Sequence, residues 1–249
     1  MSKQMLNEAT FSSTNVAKVT AGRAVTRTMT YGGTIARSLF FLVVTIAFAM
    51  IGWRSAADVV ASSGLWFFLG YMLLIALSLW AAANPRAAIL AGLVYAVLMG
   101  LWMGSISRIY EAYYDGIVGQ ALVASVAVFL ACLLLYAIRA IRVTGRFVRF
   151  VLISLFGIAI TYSFAWFLSL FGIHLNFLYD GSTVGIWVGL FVVVIAAFTL
   201  ILDFAVIERG VESGAPKEME WYAAYGLLST LVWLYLEVLF LLARLRARG

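Results

Sequence analysis

Apolar residues gather in seven long runs, at about 35 to 53, 65 to 83, 87 to 107, 116 to 138, 148 to 173, 182 to 207 and 221 to 243. Each is close to the roughly 20 residues that an α-helix needs to cross a ~30 Å hydrocarbon core. The pattern predicts an all-α membrane protein with seven transmembrane helices. Pro85 and Pro216, the only prolines, both fall in connections, where a missing N–H does least harm. The connection Asn84-Pro85-Arg86 is so short that the second and third spans must be antiparallel neighbours.

Composition agrees with a lipid solvent. The chain is 65% hydrophobic and 11% charged, with a mean hydropathy of +1.04, against about 25% charged residues in soluble domains. Its net charge is +6, but the basic residues cluster at the ends of the runs, where they set topology and meet anionic lipid, so nucleic acid is not an expected partner. Cys132 is the only cysteine and His174 the only histidine, which excludes an internal disulfide and argues against a transition-metal centre.

Residues 1–30 are polar and read as a cytoplasmic, mobile tail, followed by a membrane domain over 31–249. If the spans alternate, twelve of the seventeen Lys and Arg fall on the N-terminal side and five on the other. That bias favours an N-terminus in the cytoplasm, and the multi-pass chain is expected in the plasma (inner) membrane. Arg244, Arg246 and Arg248 would prefer the cytoplasm too, so a re-entrant last segment stays open.

Small residues recur every four positions at Gly92, Ala96, Gly100 and Gly104 in the third span, and at Gly181, Gly185 and Gly189 around the sixth. Such stripes let backbones approach closely, and packing is their plain reading. No internal repeat is visible.

Two runs carry an acid well inside them: Asp203 in ILDFAV and Glu237 in WLYLEV. An ionised carboxylate at the bilayer centre costs about 2.5 to 3.5 kcal/mol on insertion scales, so such a group faces the bundle interior and finds a partner, a proton or a cation. Thr199 lies one turn before Asp203 and Thr230 two turns before Glu237, putting hydroxyl oxygen near each acid. Two facing carboxylates cannot both stay ionised cheaply, and would titrate as a pair. When both are ionised they offer up to four of the six to eight oxygens that calcium takes. The plainer alternative is that Asp203, close to Glu208 and Arg209, reaches one interface, and Glu237, with Arg244, the other. Arg108 and Glu111 read as a surface pair, and Asp115 and Asp180, in YDG segments, as turn residues.

The stretch ERGVESGAPKEMEWYAAYGLLSTLVWLYLE, with the preceding LDF, resembles the C-terminal signature of the Bax inhibitor-1 family, in its bacterial branch. MGSISRIYEAYYDGIVGQAL and IRVTGRFVRFVLIS extend the resemblance to essentially everything from about residue 30 onward. It implies a Bax inhibitor-like fold of seven helices with the last helix central, acting as a pH-sensitive calcium leak with no cofactor. Asp203 would match the sixth-span aspartate. Glu237 would match the seventh-span acid, an aspartate in better-studied relatives, so its longer side chain shifts both distance and proton affinity. Relatives use an arginine near the end of the second span as a latch for the carboxylates, and Arg86 is the nearest candidate.

An enzyme is not expected. Ser105 and Ser107 invite comparison with intramembrane serine proteases, but no histidine lies in a span to serve as base, and the seventh span has no lysine for a Schiff base. The rival readings are a non-transporting interaction protein that regulates a membrane protease or another membrane partner, and a calcium/proton exchanger. Ion flux through the purified protein separates them.

Overall fold

The computed structural model of the chain describes residues 28–56, 65–84, 87–169, 171–172, 175 and 180–248. Among these, seven helices follow one another: α1 (Tyr31–Arg54), α2 (Leu65–Ala83), α3 (Ala88–Tyr113), α4 (Ile117–Ala137), α5 (Gly145–Ser169), α6 (Thr183–Glu212) and α7 (Met219–Arg248). Six are long and apolar enough to cross a membrane; in α2 the stretch that can be judged, Met72–Ala81, is apolar but shorter.

Every apolar run becomes a helix, and α3, α6 and α7 outlast theirs, α7 continuing through Arg244 and Arg246 to Arg248. α3 continues through Arg108 and Glu111 to Tyr113, and α6 through Glu208 and Arg209 to Glu212. The end of an apolar run marks the end of the hydrocarbon requirement, not of backbone hydrogen bonding, and Arg and Glu are good helix formers. α6 and α7 are the most buried of the six, at 56% of a membrane-length window each, against 11% for α5.

The chain forms two compact units. The first takes everything up to Ile109 together with Asp203–Val232; the second takes Tyr110–Leu202 and Trp233–Gly249. Both α6 and α7 therefore contribute one part to each unit.

In the first unit the stripe on α3 packs on α1. A methyl group at Gly100 would stand 2.6 Å from the Thr45 carbonyl oxygen, and one at Gly104 2.7 Å from the Ala49 carbonyl carbon. On the facing helix, one at Gly52 would meet the Leu101 backbone at 2.8 Å. With the backbones this close, the buried Ser105 hydroxyl donates across the interface to the Gly52 carbonyl at 3.0 Å. Gly70, early in α2, lies against Trp102, late in α3, as antiparallel neighbours require.

Of the expected tail, positions 1–27 lie outside the described residues, and Thr28–Thr30 are held firmly. Thr28 forms an antiparallel bridge with Pro216, and the Met29 N–H donates to the Ala215 carbonyl at 2.7 Å. Met29 is buried with Ala215, Met219 and Ala223. Thr30 then caps α1, its hydroxyl accepting the Gly33 N–H at 3.0 Å.

The stripe at Gly181, Gly185 and Gly189, in the second unit, receives the end of α7. A methyl at Gly181 would stand 3.0 Å from the Arg244 carbonyl oxygen, and one at Gly189 would run into the Arg244 guanidinium. The stripe thus houses a charged side chain as well as a close backbone.

Candidate functional site

Asp203 lies on α6 in the first unit. Its Oδ2 is buried and has no hydrogen-bond partner among the described residues. From α7 comes Thr230, whose hydroxyl is within hydrogen-bonding reach of the Asp203 carboxyl and also 3.3 Å from the Gly226 carbonyl. That hydroxyl has one hydrogen, so it serves one acceptor at a time. Gly226 leaves room on the same face, since a methyl there would stand 3.9 Å from Asp203 Oδ1.

Around this acid, α7 carries a ladder of polar contacts. The Tyr225 hydroxyl shares a 2.6 Å hydrogen bond with Ser78 on α2, and its ring meets Tyr95 of α3 edge-on at 5.4 Å. Tyr95 in turn donates to the Ser229 carbonyl at 3.5 Å.

Glu237 lies on α7 in the second unit and is 4% exposed. One turn earlier the Trp233 indole N–H donates to its Oε1 at 3.1 Å, while Oε2 is buried without a partner. Glu237 lines a cavity of about 420 Å³ together with Tyr110, Tyr114, Tyr162, Asp180 and Arg244. Arg244, two turns further along α7, is also 4% exposed, and its Nη1 donates to the Gly185 carbonyl at 3.4 Å.

The supporting residues divide. Thr230 stands beside Asp203, whereas Thr199 donates its hydroxyl within its own helix to the Ile195 carbonyl at 2.9 Å. Arg86, the expected latch, and His174 lie outside the described residues. Arg108 and Glu111 each find another partner. Arg108 sits over the Trp53 ring at 5.6 Å, and the Glu111 carboxylate accepts the Gly116 and Val118 N–H groups at 2.8 and 2.9 Å, capping α4. Asp180 makes the expected turn contact, accepting the Ser182 N–H at 3.1 Å.

Sequence reasoning passed over a third buried acid. Glu220, at the start of α7, is fully buried and forms an ion pair with Arg37 of α1. Its Oε1 accepts both the backbone N–H and the hydroxyl of Thr30, at 2.9 and 3.1 Å. The Arg37 guanidinium stacks over Trp221 at 4.9 Å, and Gly33 leaves the space that the Glu220 carboxylate fills. Two signals for this cluster were in the sequence: an arginine within the first apolar run and a threonine just ahead of it.

The Bax inhibitor 1 like family model matches residues 4–247, nearly the whole chain. The chain belongs to that family. No curated protein and no solved structure gives a significant match. As a Bax inhibitor 1 like protein it is a multi-pass membrane protein, and its buried acids sit on helices long and apolar enough to cross a membrane.

Proposed function

We propose that this Bax inhibitor 1 like protein is a pH-sensitive calcium leak channel of the plasma (inner) membrane, its N-terminus in the cytoplasm, gated by protonation of Asp203 and Glu237. One observation carries the reading: Asp203 Oδ2 and Glu237 Oε2 are buried carboxylate oxygens without hydrogen-bond partners, on the two most buried membrane helices. A buried polar atom left unsatisfied is costly, and in a dry site a carboxylate is relieved either by a proton or by a cation. Protonated, the acids are neutral and give a cation nothing to bind. Ionised, each acid offers carboxylate oxygens, Asp203 beside the Thr230 hydroxyl, that with water replace part of the shell that calcium loses on entering. Calcium is here the cargo, in transit.

The test is calcium influx into proteoliposomes from about pH 5 to about pH 8, comparing the natural sequence with Asp203→Asn and Glu237→Gln. The reading expects flux that varies with pH and a changed dependence in both variants. Natural protein indistinguishable from empty liposomes at every pH would overturn transport. Uphill calcium accumulation driven by an imposed proton gradient would replace the leak by an exchanger.

A further inference from the structure

We infer that the Glu237 cavity is a binding site for a small organic cation, an amine carried on an apolar or aromatic body. Three properties of the cavity point there.

Its size comes first. About 420 Å³ is several times the space of a dehydrated metal ion and falls in the 300 to 1,000 Å³ range of small-molecule sites. Its walls come second. Tyr110, Tyr114, Tyr162 and Phe240 line it, Phe240 packing against the Tyr110 ring at 5.5 Å between centroids, so four aromatic rings border the space. The faces of such rings attract an ammonium group through the ring quadrupole, the more so when water is excluded.

Its charge comes third. Two carboxylates line the cavity, Asp180 exposed and Glu237 almost wholly buried, against the single cation Arg244. The Arg244 guanidinium is already engaged, held against Gly189 with Nη1 on the Gly185 carbonyl. Glu237 is the opposite case, since Trp233 occupies one oxygen and the other has no partner. With both acids ionised, the described residues of the lining are thus one negative charge in excess, with a carboxylate oxygen left without a hydrogen bond among them at a buried position. Among the described residues no three His, Cys, Asp or Glu side chains come together as metal ligands, so the donor set suits an ammonium better than a resident metal.

The site shares Glu237 with the proposed gate, yet binding needs no ion flow, so the two readings fail separately. The experiment is titration calorimetry on the detergent-purified full chain, with phenethylammonium, its neutral isostere phenethyl alcohol, and phenylalanine as probes. The expected result is saturable binding of phenethylammonium, at least about tenfold weaker binding of the other two, and at least a tenfold loss in Glu237→Gln. A calcium-flux assay has no part in this outcome. Equal binding of phenethyl alcohol to the natural protein would reduce the cavity to an apolar pocket and overturn the proposal without recourse to any variant. Tighter binding of phenylalanine would overturn it in favour of a zwitterion held through Arg244. No saturable binding of phenethylammonium also overturns it.

Discussion

Thr30 gives both its backbone N–H and its hydroxyl to one oxygen of Glu220, 190 positions further along the chain. The other carboxylate oxygen pairs with Arg37. A residue that caps the first helix is thereby bound to the first turn of the last helix, within a single packing unit.

Cutting this cluster on one side should cost more than removing it whole. Glu220→Ala leaves a guanidinium and a backbone N–H without partners, and a loss of about 3 to 5 kcal/mol is expected. The double variant Arg37→Met with Glu220→Met should lose less than Glu220→Ala alone, because no uncompensated charge remains. Unfolding in detergent, followed by circular dichroism, measures both; a double variant less stable than the single one contradicts the argument.

Glycines on two helices predict opposite outcomes of the same change. Gly104→Ala drives a methyl into the Ala49 backbone and should cost about 1 to 3 kcal/mol. Gly119→Ala, on the exposed face of α4 with nothing within 4 Å of the added methyl, should be neutral or gain up to about 1 kcal/mol. Thermal midpoints of the two variants, measured side by side, check the prediction.

Thr230→Val removes an α7 side-chain hydroxyl within hydrogen-bonding reach of Asp203 while keeping the shape of the side chain. If Asp203 is a titrating gate, the pH profile of calcium flux should move in Thr230→Val and flatten in Asp203→Asn. Superimposable profiles for these variants and the natural protein would remove Asp203 from the gating role.

Trp233→Phe takes away the one hydrogen bond made to the Glu237 carboxylate among the described residues. A buried carboxylate that loses its donor should lower stability by about 1 to 3 kcal/mol. Trp233→Phe combined with Glu237→Leu should recover much of that loss. Chemical unfolding of the three proteins gives the coupling directly, and additive losses would show that the indole is mere packing.

The helices were legible because lipid imposes a coarse rule. A run such as Thr183–Leu202 has little choice of structure or environment, and its far end, Glu208–Glu212, was missed only because hydropathy says nothing about helix beyond the apolar slab. Asp203 and Glu237 were visible for the same reason, as exceptions to that rule. What surrounds each was not. That Asp203 meets Thr230 while Glu237 meets Trp233 and a cavity depends on helix rotation and on contacts between distant segments, which periodicity along one strongly apolar helix leaves open. Glu220 escaped because it sits at the edge of its run, where a charge looks solvated; burial came from Thr30, Gly33 and Arg37.

The bond between the start of the first helix and the start of the last has a consequence for how the protein is made. A chain grows from its N-terminus at about 5 to 20 residues per second, so the 190 positions from Thr30 to Glu220 take roughly 10 to 40 s to emerge. Throughout that interval Arg37 has been made and its carboxylate has not, so the first helix goes without this partner while the five helices between are synthesised. A chain truncated ahead of residue 220 never supplies that partner. Such a chain is left with an Arg37 that has lost its Glu220 carboxylate.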